Sequence, residues 1–297
     1  MGTSWSLALA GDRQAGGSDD ARERVRATLR QVVAESSLWE GGSEISRFNR
    51  AAAGTRQPLS EGFRTVVEAA LHLAEASEGA FDPTLGALSE HWGFGPAGER
   101  PFPTETAPHA AGRWRELRLT DGALLQPGGV RLDLNGIAKG QAVDRVAESL
   151  LEAGHRHFLI GIGGEYRGEG VRPDGQPWWV DVEQPPGSAF PPLRLALAGL
   201  AVATSGDYRR AQFHGGRRFS HSLDPATGRP IENRVASVAV LGASAMIADA
   251  EATAITVLGP DKGLRWASGR GLAAHLILRE ESGFRERLTP ALTAMLG

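Results

Sequence analysis

Three groups of residues in this chain have the types and spacing to do chemistry. Between positions 130 and 144 a short apolar strand ending at Asp133 runs through an Asn135-Gly136 turn into a helix opening beside Lys139 and Gly140. Free backbone N–H groups at a helix start, next to an ammonium, present positive potential to an anionic group such as a phosphate. A packing turn without a ligand uses the same residues. On the alanine-rich stretch 243–254, Asp249 and Thr253 lie four residues apart and share one helix face. A carboxylate and a hydroxyl with no histidine nearby suit a hard cation such as Mg2+, which takes oxygen ligands. The same spacing allows Thr253 to bond back into its own helix, with Asp249 near the helix start where the dipole favours it. In residues 219–230 a strand delivers His221 just ahead of a turn containing Asp224-Pro225 and Thr227-Gly228. Histidine titrates near neutrality and serves there as a proton acceptor for a hydroxyl, or as a structural or exposed side chain.

Composition bounds the partners of these groups. The 297 residues, 41% of them apolar, are enough for one large domain or two small ones. Without cysteine the chain has no disulfide, thiolate nucleophile or Cys-ligated metal, so a metal sits on oxygen or histidine. A net charge of −3, from 32 basic and 35 acidic residues with no basic run, argues against a nucleic-acid surface and against electrostatic membrane docking. A small molecule or another protein is the expected partner. No apolar run approaches a transmembrane segment, and the first residues lack the basic and apolar regions of a signal peptide. As written the chain is expected to be cytoplasmic, or periplasmic and membrane-associated if a leader has been removed.

The elements that must position these residues mix helix and strand signals without regular alternation, which predicts an α+β class. Residues 20–37 carry Val25, Leu29, Val32 and Val33 at helical spacing. Residues 60–76 carry Phe63, Val66, Val67, Ala70, Leu71 and Ala74, with Ser60 as N-cap and Gly79 past the end. Strands are expected at 5–9, 117–119, 158–162, 178–182, 193–203, 236–241 and 274–278, and at 213–222 around a His214-Gly215-Gly216 turn. The Pro/Gly-rich stretches 93–112 and 183–192 read as surface excursions.

Smaller polar groups complete the pattern: Ser-Glu-Ile-Ser-Arg-Phe-Asn at 43–49, Gly-Ala-Phe-Asp-Pro-Thr at 79–84, Gly163-Gly164, and Ala-Thr-Ser-Gly-Asp-Tyr at 203–208. In order with the three groups above and the opening Met-Gly-Thr, these segments resemble the FAD:protein FMN transferases, the ApbE-like flavin transferase family, over essentially the whole chain. The resemblance implies an ApbE-like, T-fold-like fold of mixed, largely antiparallel sheets flanked by helices. It implies a single domain over 1–297, with two intimately packed halves as the variant. It further implies that FAD is the substrate, that Mg2+ is used, and that FMN passes through its phosphate to a threonine or serine hydroxyl of a target flavoprotein with release of AMP.

Carried over residue by residue, the resemblance implies that Asp249 and Thr253 hold Mg2+ with the backbone carbonyl of Ala138, and that His221 is the base. Lys139 and the turn from Gly136 to Gly140 would meet the pyrophosphate. Trp39, Glu44, Asn49, Asp82, Asp133, Asp144, Gly164, Thr204 and Ser205 fall in the segments implied for the flavin nucleotide. Trp39 stands where the family commonly has tyrosine and keeps an aromatic platform. With water in place of the acceptor hydroxyl the same site would hydrolyse FAD to FMN and AMP. A flavin carrier without catalysis is the third reading, and it needs neither His221 nor the Asp249/Thr253 pair.

Overall fold

The computed structural model describes residues 2–11, 17–98, 103, 112–208 and 211–297. In chain order the first elements are β1 (Trp5–Leu9), α1 (Gly17–Ser36), α2 (Glu44–Arg50), β2 (Arg56–Pro58), α3 (Glu61–Ala76) and α4 (Gly86–His91). A 3-10 turn at Arg113–Glu116 leads to β3 (Arg118–Thr120), β4 (Ala123–Leu125), α5 (Ala138–Glu152), β5 (Phe158–Ile162), β6 (Glu165–Glu169), β7 (Trp178–Asp181) and β8 (Arg194–Leu197). There follow β9 (Leu200–Gly206), β10 (Ala211–His214), β11 (Arg217–Ser220), β12 (Leu223–Asp224), β13 (Arg229–Pro230) and β14 (Val235–Gly242). The chain closes with α6 (Ala245–Gly269), β15 (Ala273–Glu280), β16 (Gly283–Leu288) and α7 (Pro290–Leu296). Helices and antiparallel sheets together make the class α+β, and no helix among the described residues is long and apolar enough to cross a membrane.

The chain forms two compact units, the first from Met1–Gln31, Gly136–Tyr208 and Arg234–Gly297, the second from Val32–Asn135 and Arg209–Asn233. The first is built on a seven-stranded sheet in the order β1-β5-β6-β9-β14-β15-β16, antiparallel at every pairing. Side chains alternate across a strand, so Val238 and Val240 of β14 face one side while Ala239 and Leu241 face the other. The first side packs on Ala248, Ala252 and Ile255 of α6; the second is covered by Trp178 and Val180 of β7, Leu195 and Leu197 of β8, and Leu292 of α7. With both faces covered, β14 is buried almost throughout, which is why its sequence is apolar apart from Ser237.

In the second unit α3 has the expected cap, with Ser60 Oγ accepting from the Phe63 N–H at 3.3 Å, and buries Phe63, Val66, Val67, Ala70, Leu73 and Ala74. Leu71, assigned to that stripe from spacing, is half-exposed, and Leu73 takes the buried place. Hairpin β10-β11 pairs His214 with Arg217 across Gly215-Gly216. Both glycines have positive φ, 54° and 76°, the combination that a two-residue hairpin turn of matching twist requires. Leu88, Trp92 and Leu223 form a small apolar cluster, and Trp92 stacks on Phe219 while its Nε1–H donates to the Gly228 carbonyl at 2.9 Å.

Several elements depart from the reading of the sequence. The strand expected at 193–203 is two, β8 and β9, separated by a turn that sends them into different sheets. Helices α2, α4 and α7 and strands β6 and β16 are too short or too polar for periodicity to announce. The excursion expected at 93–112 lies largely outside the described residues, whereas 183–192 is a turn-bearing connection between β7 and β8.

Candidate functional site

The first unit gathers one cluster at the start of α5. This helix has no side-chain cap of its own. Its buried Gly140 N–H, one of the first-turn donors with no partner inside the helix, instead donates to Asp249 Oδ2 at 3.0 Å, so a carboxylate on α6 caps α5. A Cβ at Gly140 would lie 2.1 Å from the Ala245 carbonyl oxygen, so only glycine permits this approach of the two helices. Thr253, one turn along α6, places Oγ1 at 3.1 Å from Ser205 Oγ of β9, 3.1 Å from the Asp249 carbonyl and 3.5 Å from the Gly136 carbonyl. Thr253 thus bonds back into its own helix, and the same hydroxyl faces the turn before α5. Ala138 is the first residue of α5, Gly164 lies in the turn between β5 and β6, and Thr204 pairs with Ala239 beside Ser205.

Lys139 is held between two carboxylates. Its Nζ pairs with Glu165 Oε1 and lies 3.4 Å from Asp249 Oδ1. Burial works against its charge, but Asp249 and Glu165 outweigh that and hold its pKa above the ordinary lysine value. Glu165 is almost wholly buried at the head of β6, and its Oε2 has no hydrogen-bond partner. Its burial, only partly offset by Lys139, pushes it up to about 7. One ammonium serves two carboxyl groups, and the cluster keeps an orphaned buried oxygen. Among the described residues no trio of His, Cys, Asp or Glu forms a metal cage. Asp249 and Thr253 with neighbouring backbone carbonyls are an all-oxygen set, and that chemistry fits a hard divalent cation such as Mg2+.

Asp144, expected at the nucleotide, turns instead to the N-terminus of α6. Its Oδ1 accepts from the Ala245 N–H at 3.0 Å, and its Oδ2 from the Met246 N–H at 2.9 Å and Ser244 Oγ at 2.7 Å. Arg167 of β6 pairs with the same carboxylate at 3.0 Å.

The second unit carries the other polar motifs, and most of them hold one segment, residues 130–135. Asn49 donates from Nδ2 to the Leu132 carbonyl at 2.9 Å and accepts from the Leu132 N–H at 2.7 Å, imitating a strand neighbour. The Asp82-Pro83-Thr84 turn runs along the other side, with the Asp133 N–H donating to the Pro83 carbonyl at 2.8 Å. Asp133 accepts from Ser89 Oγ at 2.6 Å and from the Asn135 N–H at 3.0 Å. Asp82 accepts from the Thr84 N–H and the Gly112 N–H, and burial raises its pKa despite these bonds. Glu44 accepts from the Ser60 N–H at 3.0 Å, joining α2 to the start of α3. Trp39 is exposed on the loop after α1, which Ser43 Oγ anchors by donating to the Ser37 carbonyl at 2.6 Å. His221, half-buried just past β11, meets the edge of the Phe94 ring at a centroid distance of 6.4 Å. Asp224 turns inward to its own loop, accepting from the Ala226 N–H at 2.9 Å and Thr227 Oγ1 at 3.0 Å.

Sequence reasoning named the glycines at 163 and 164 but missed Glu165 beside them, and missed Arg167 and Ser244. The available signal was the Glu-Tyr-Arg-Gly-Glu composition of β6, charged residues in a strand that sits inside the sheet.

Three comparisons bear on what this arrangement belongs to. The model of the ApbE family matches residues 1–276. A Haemophilus influenzae protein named FAD:protein FMN transferase is 35% identical over 302 residues, covering 96% of this chain and 86% of its own length. A Vibrio cholerae protein of the same name is 36% identical over 293 residues, covering 96% and 87%. The crystal structure of the Pseudomonas stutzeri flavinyl transferase ApbE in its apo form superposes with a TM-score of 0.91 at 36% identity, over 99% of this chain and 93% of that one.

Proposed function

The chain belongs to the ApbE family, and on that premise we propose that it is an FAD:protein FMN transferase. FAD gives its FMN part to a threonine or serine hydroxyl of a target flavoprotein. The FMN phosphorus bonds to the acceptor Oγ, the bridging oxygen of the pyrophosphate leaves with AMP, and the acceptor proton passes to a base. The observation that carries this reading is near full-length similarity to proteins of that name together with the Lys139, Asp249 and Thr253 cluster at the start of a helix.

In this reading Lys139 and the N–H groups opening α5 meet the negative charge that develops as the pyrophosphate is cut. Asp249 and Thr253, with the Ala138 carbonyl, would hold Mg2+, which when bound neutralises phosphate oxygens. His221 takes the acceptor proton, and its place at a strand end beside the Asp224 turn keeps the ring on a stiff support. Trp39 offers its exposed ring to a planar heterocycle.

The test is incubation with FAD, MgCl2 and an acceptor domain bearing an Asp-Gly-Ala-Thr segment, read by intact mass, with Asp249→Ala as control. An acceptor heavier by FMN, and unlabelled in the control, is the expected result. Free FMN and AMP with no labelled acceptor would assign the site to hydrolysis. FAD left intact would leave only flavin carriage.

A further inference from the structure

We infer that Asp144 is a positioning residue, a clamp that fixes α6 against α5 so that Asp249 and Thr253 stand in register with Lys139 and Gly140. The inference rests on the proposed Mg2+-dependent transfer and deepens it. Both of its carboxylate oxygens are committed to α6: Oδ1 to the Ala245 N–H at 3.0 Å, Oδ2 to the Met246 N–H at 2.9 Å and Ser244 Oγ at 2.7 Å. Ser244 is itself the N-cap of α6, with Oγ accepting from the Ile247 N–H at 3.2 Å, so Asp144 holds the cap as well as the orphan donors. A negative charge at a helix N-terminus is favoured by the helix dipole, and Arg167 behind it supplies the counter-charge at 3.0 Å.

The spacing gives this clamp its leverage. Asp144 lies five residues beyond Lys139 on α5, and Asp249 five residues beyond Ser244 on α6. The helices are thus joined twice on the same flank: once where Asp144 caps α6, and once where Asp249 receives the Gly140 N–H and so caps α5. Each helix start is closed by a carboxylate from the other. If the clamp opens, α6 is free to shift along α5, and the Asp249 carboxylate and Thr253 hydroxyl lose their common setting. A residue that orients ligands without touching the metal typically changes metal affinity on the order of 10–100-fold.

Asp144→Asn tests this, because it keeps the shape but sets an amide NH2 against donors on α6. Calorimetric titration of the full chain with MgCl2 alone should show binding weakened about tenfold. In the labelling assay the half-saturating Mg2+ concentration should rise in parallel, while the KM for FAD at saturating Mg2+ stays within about twofold. Ser244→Ala removes one donor to the carboxylate and should shift Mg2+ affinity in the same direction by less; it decides the matter if Asp144→Asn does not fold by circular dichroism. Unchanged Mg2+ affinity in the folded variants overturns the clamp. A raised KM for FAD at unchanged Mg2+ affinity overturns it in favour of a nucleotide contact. A wild-type chain that takes up no Mg2+ removes the metal reading and this inference with it, whereas wild-type binding with an indifferent Asp144→Asn removes this inference alone.

Discussion

At the scale of the residue, the polar groups of the motifs divide by what their oxygens and nitrogens are bonded to. Asn49, Asp82 and Asp144 have both side-chain polar atoms engaged with the backbone, and Asp133 has both oxygens engaged by Ser89 and the Asn135 N–H. Such residues shape the loops and helix ends that carry the site. Lys139, Glu165, Asp249 and Thr253 instead form a charged cluster with an orphaned carboxylate oxygen, the condition that functional sites tolerate and cores do not. In the proposed transfer His221 is the base. His221→Ala should lower kcat for acceptor labelling by about 10²–10⁴-fold, the usual worth of general base catalysis, with little change in FAD binding measured by flavin fluorescence. A variant that labels at the wild-type rate would remove His221 from the proton path.

At the scale of the element, the contact of α5 with α6 and the pairing of β15 with β16 each make a measurable claim. Gly140→Ala puts a methyl group 2.1 Å from the Ala245 carbonyl, so the helices must separate or tilt. Overpacking of this kind costs about 1–3 kcal/mol, and the variant should show a lower Tm and weaker Mg2+ binding together. A stable variant with intact Mg2+ affinity would mean that the close approach is dispensable. On β15, His275 is buried and faces Glu286 Oε2 of the edge strand β16 at 3.1 Å. Burial lowers its pKa, with Glu286 working the other way. The unfolded chain then binds a proton at this histidine more readily than the folded one, so the stability from this group is complete above about pH 6.5 and is lost as the pH falls below it. Thermal melts at pH 7.5 and 5.5 should show a smaller acid loss in His275→Gln than in the wild type, and equal losses would reject the assignment.

At the scale of the whole molecule, the first unit is assembled from three stretches of chain, and its last stretch closes it. Beyond the family match at residue 276 lie the edge strand β16 and α7. Thr289 joins them to the sheet: its Oγ1 accepts from the Ala274 N–H at 2.9 Å and donates to the Leu272 carbonyl at 2.6 Å. Leu292 of α7 is buried with Trp178, Leu197 and Leu241 on the sheet face opposite α6. Leu292→Ala should therefore cost about 2–5 kcal/mol in urea unfolding while leaving Mg2+ affinity unchanged below the transition, because the cavity opens away from α6. A cost below 1 kcal/mol would mean that α7 is not part of the core.

The sequence by itself determined the elements with strong periods and the polar motifs. The α3 stripe, the glycine hairpin at 215–216, the Asp249/Thr253 face and the helix start at Lys139 are local patterns, set by 3.6-residue and two-residue periods and by caps that act over a few positions. Tertiary structure alone decided which of the motif carboxylates were bonded to backbone and which were left in the charged cluster. Asp144 and Asp249 look alike in sequence, each an aspartate on an alanine-containing helix. They differ because helix ends from distant parts of the chain bring unsatisfied N–H groups to Asp144 on both oxygens but to only one oxygen of Asp249, whose other oxygen faces Lys139. Glu165 shows the same dependence: its burial and its share in Lys139 arise from the pairing of β6 between β5 and β9, over distances along the chain that no local pattern spans.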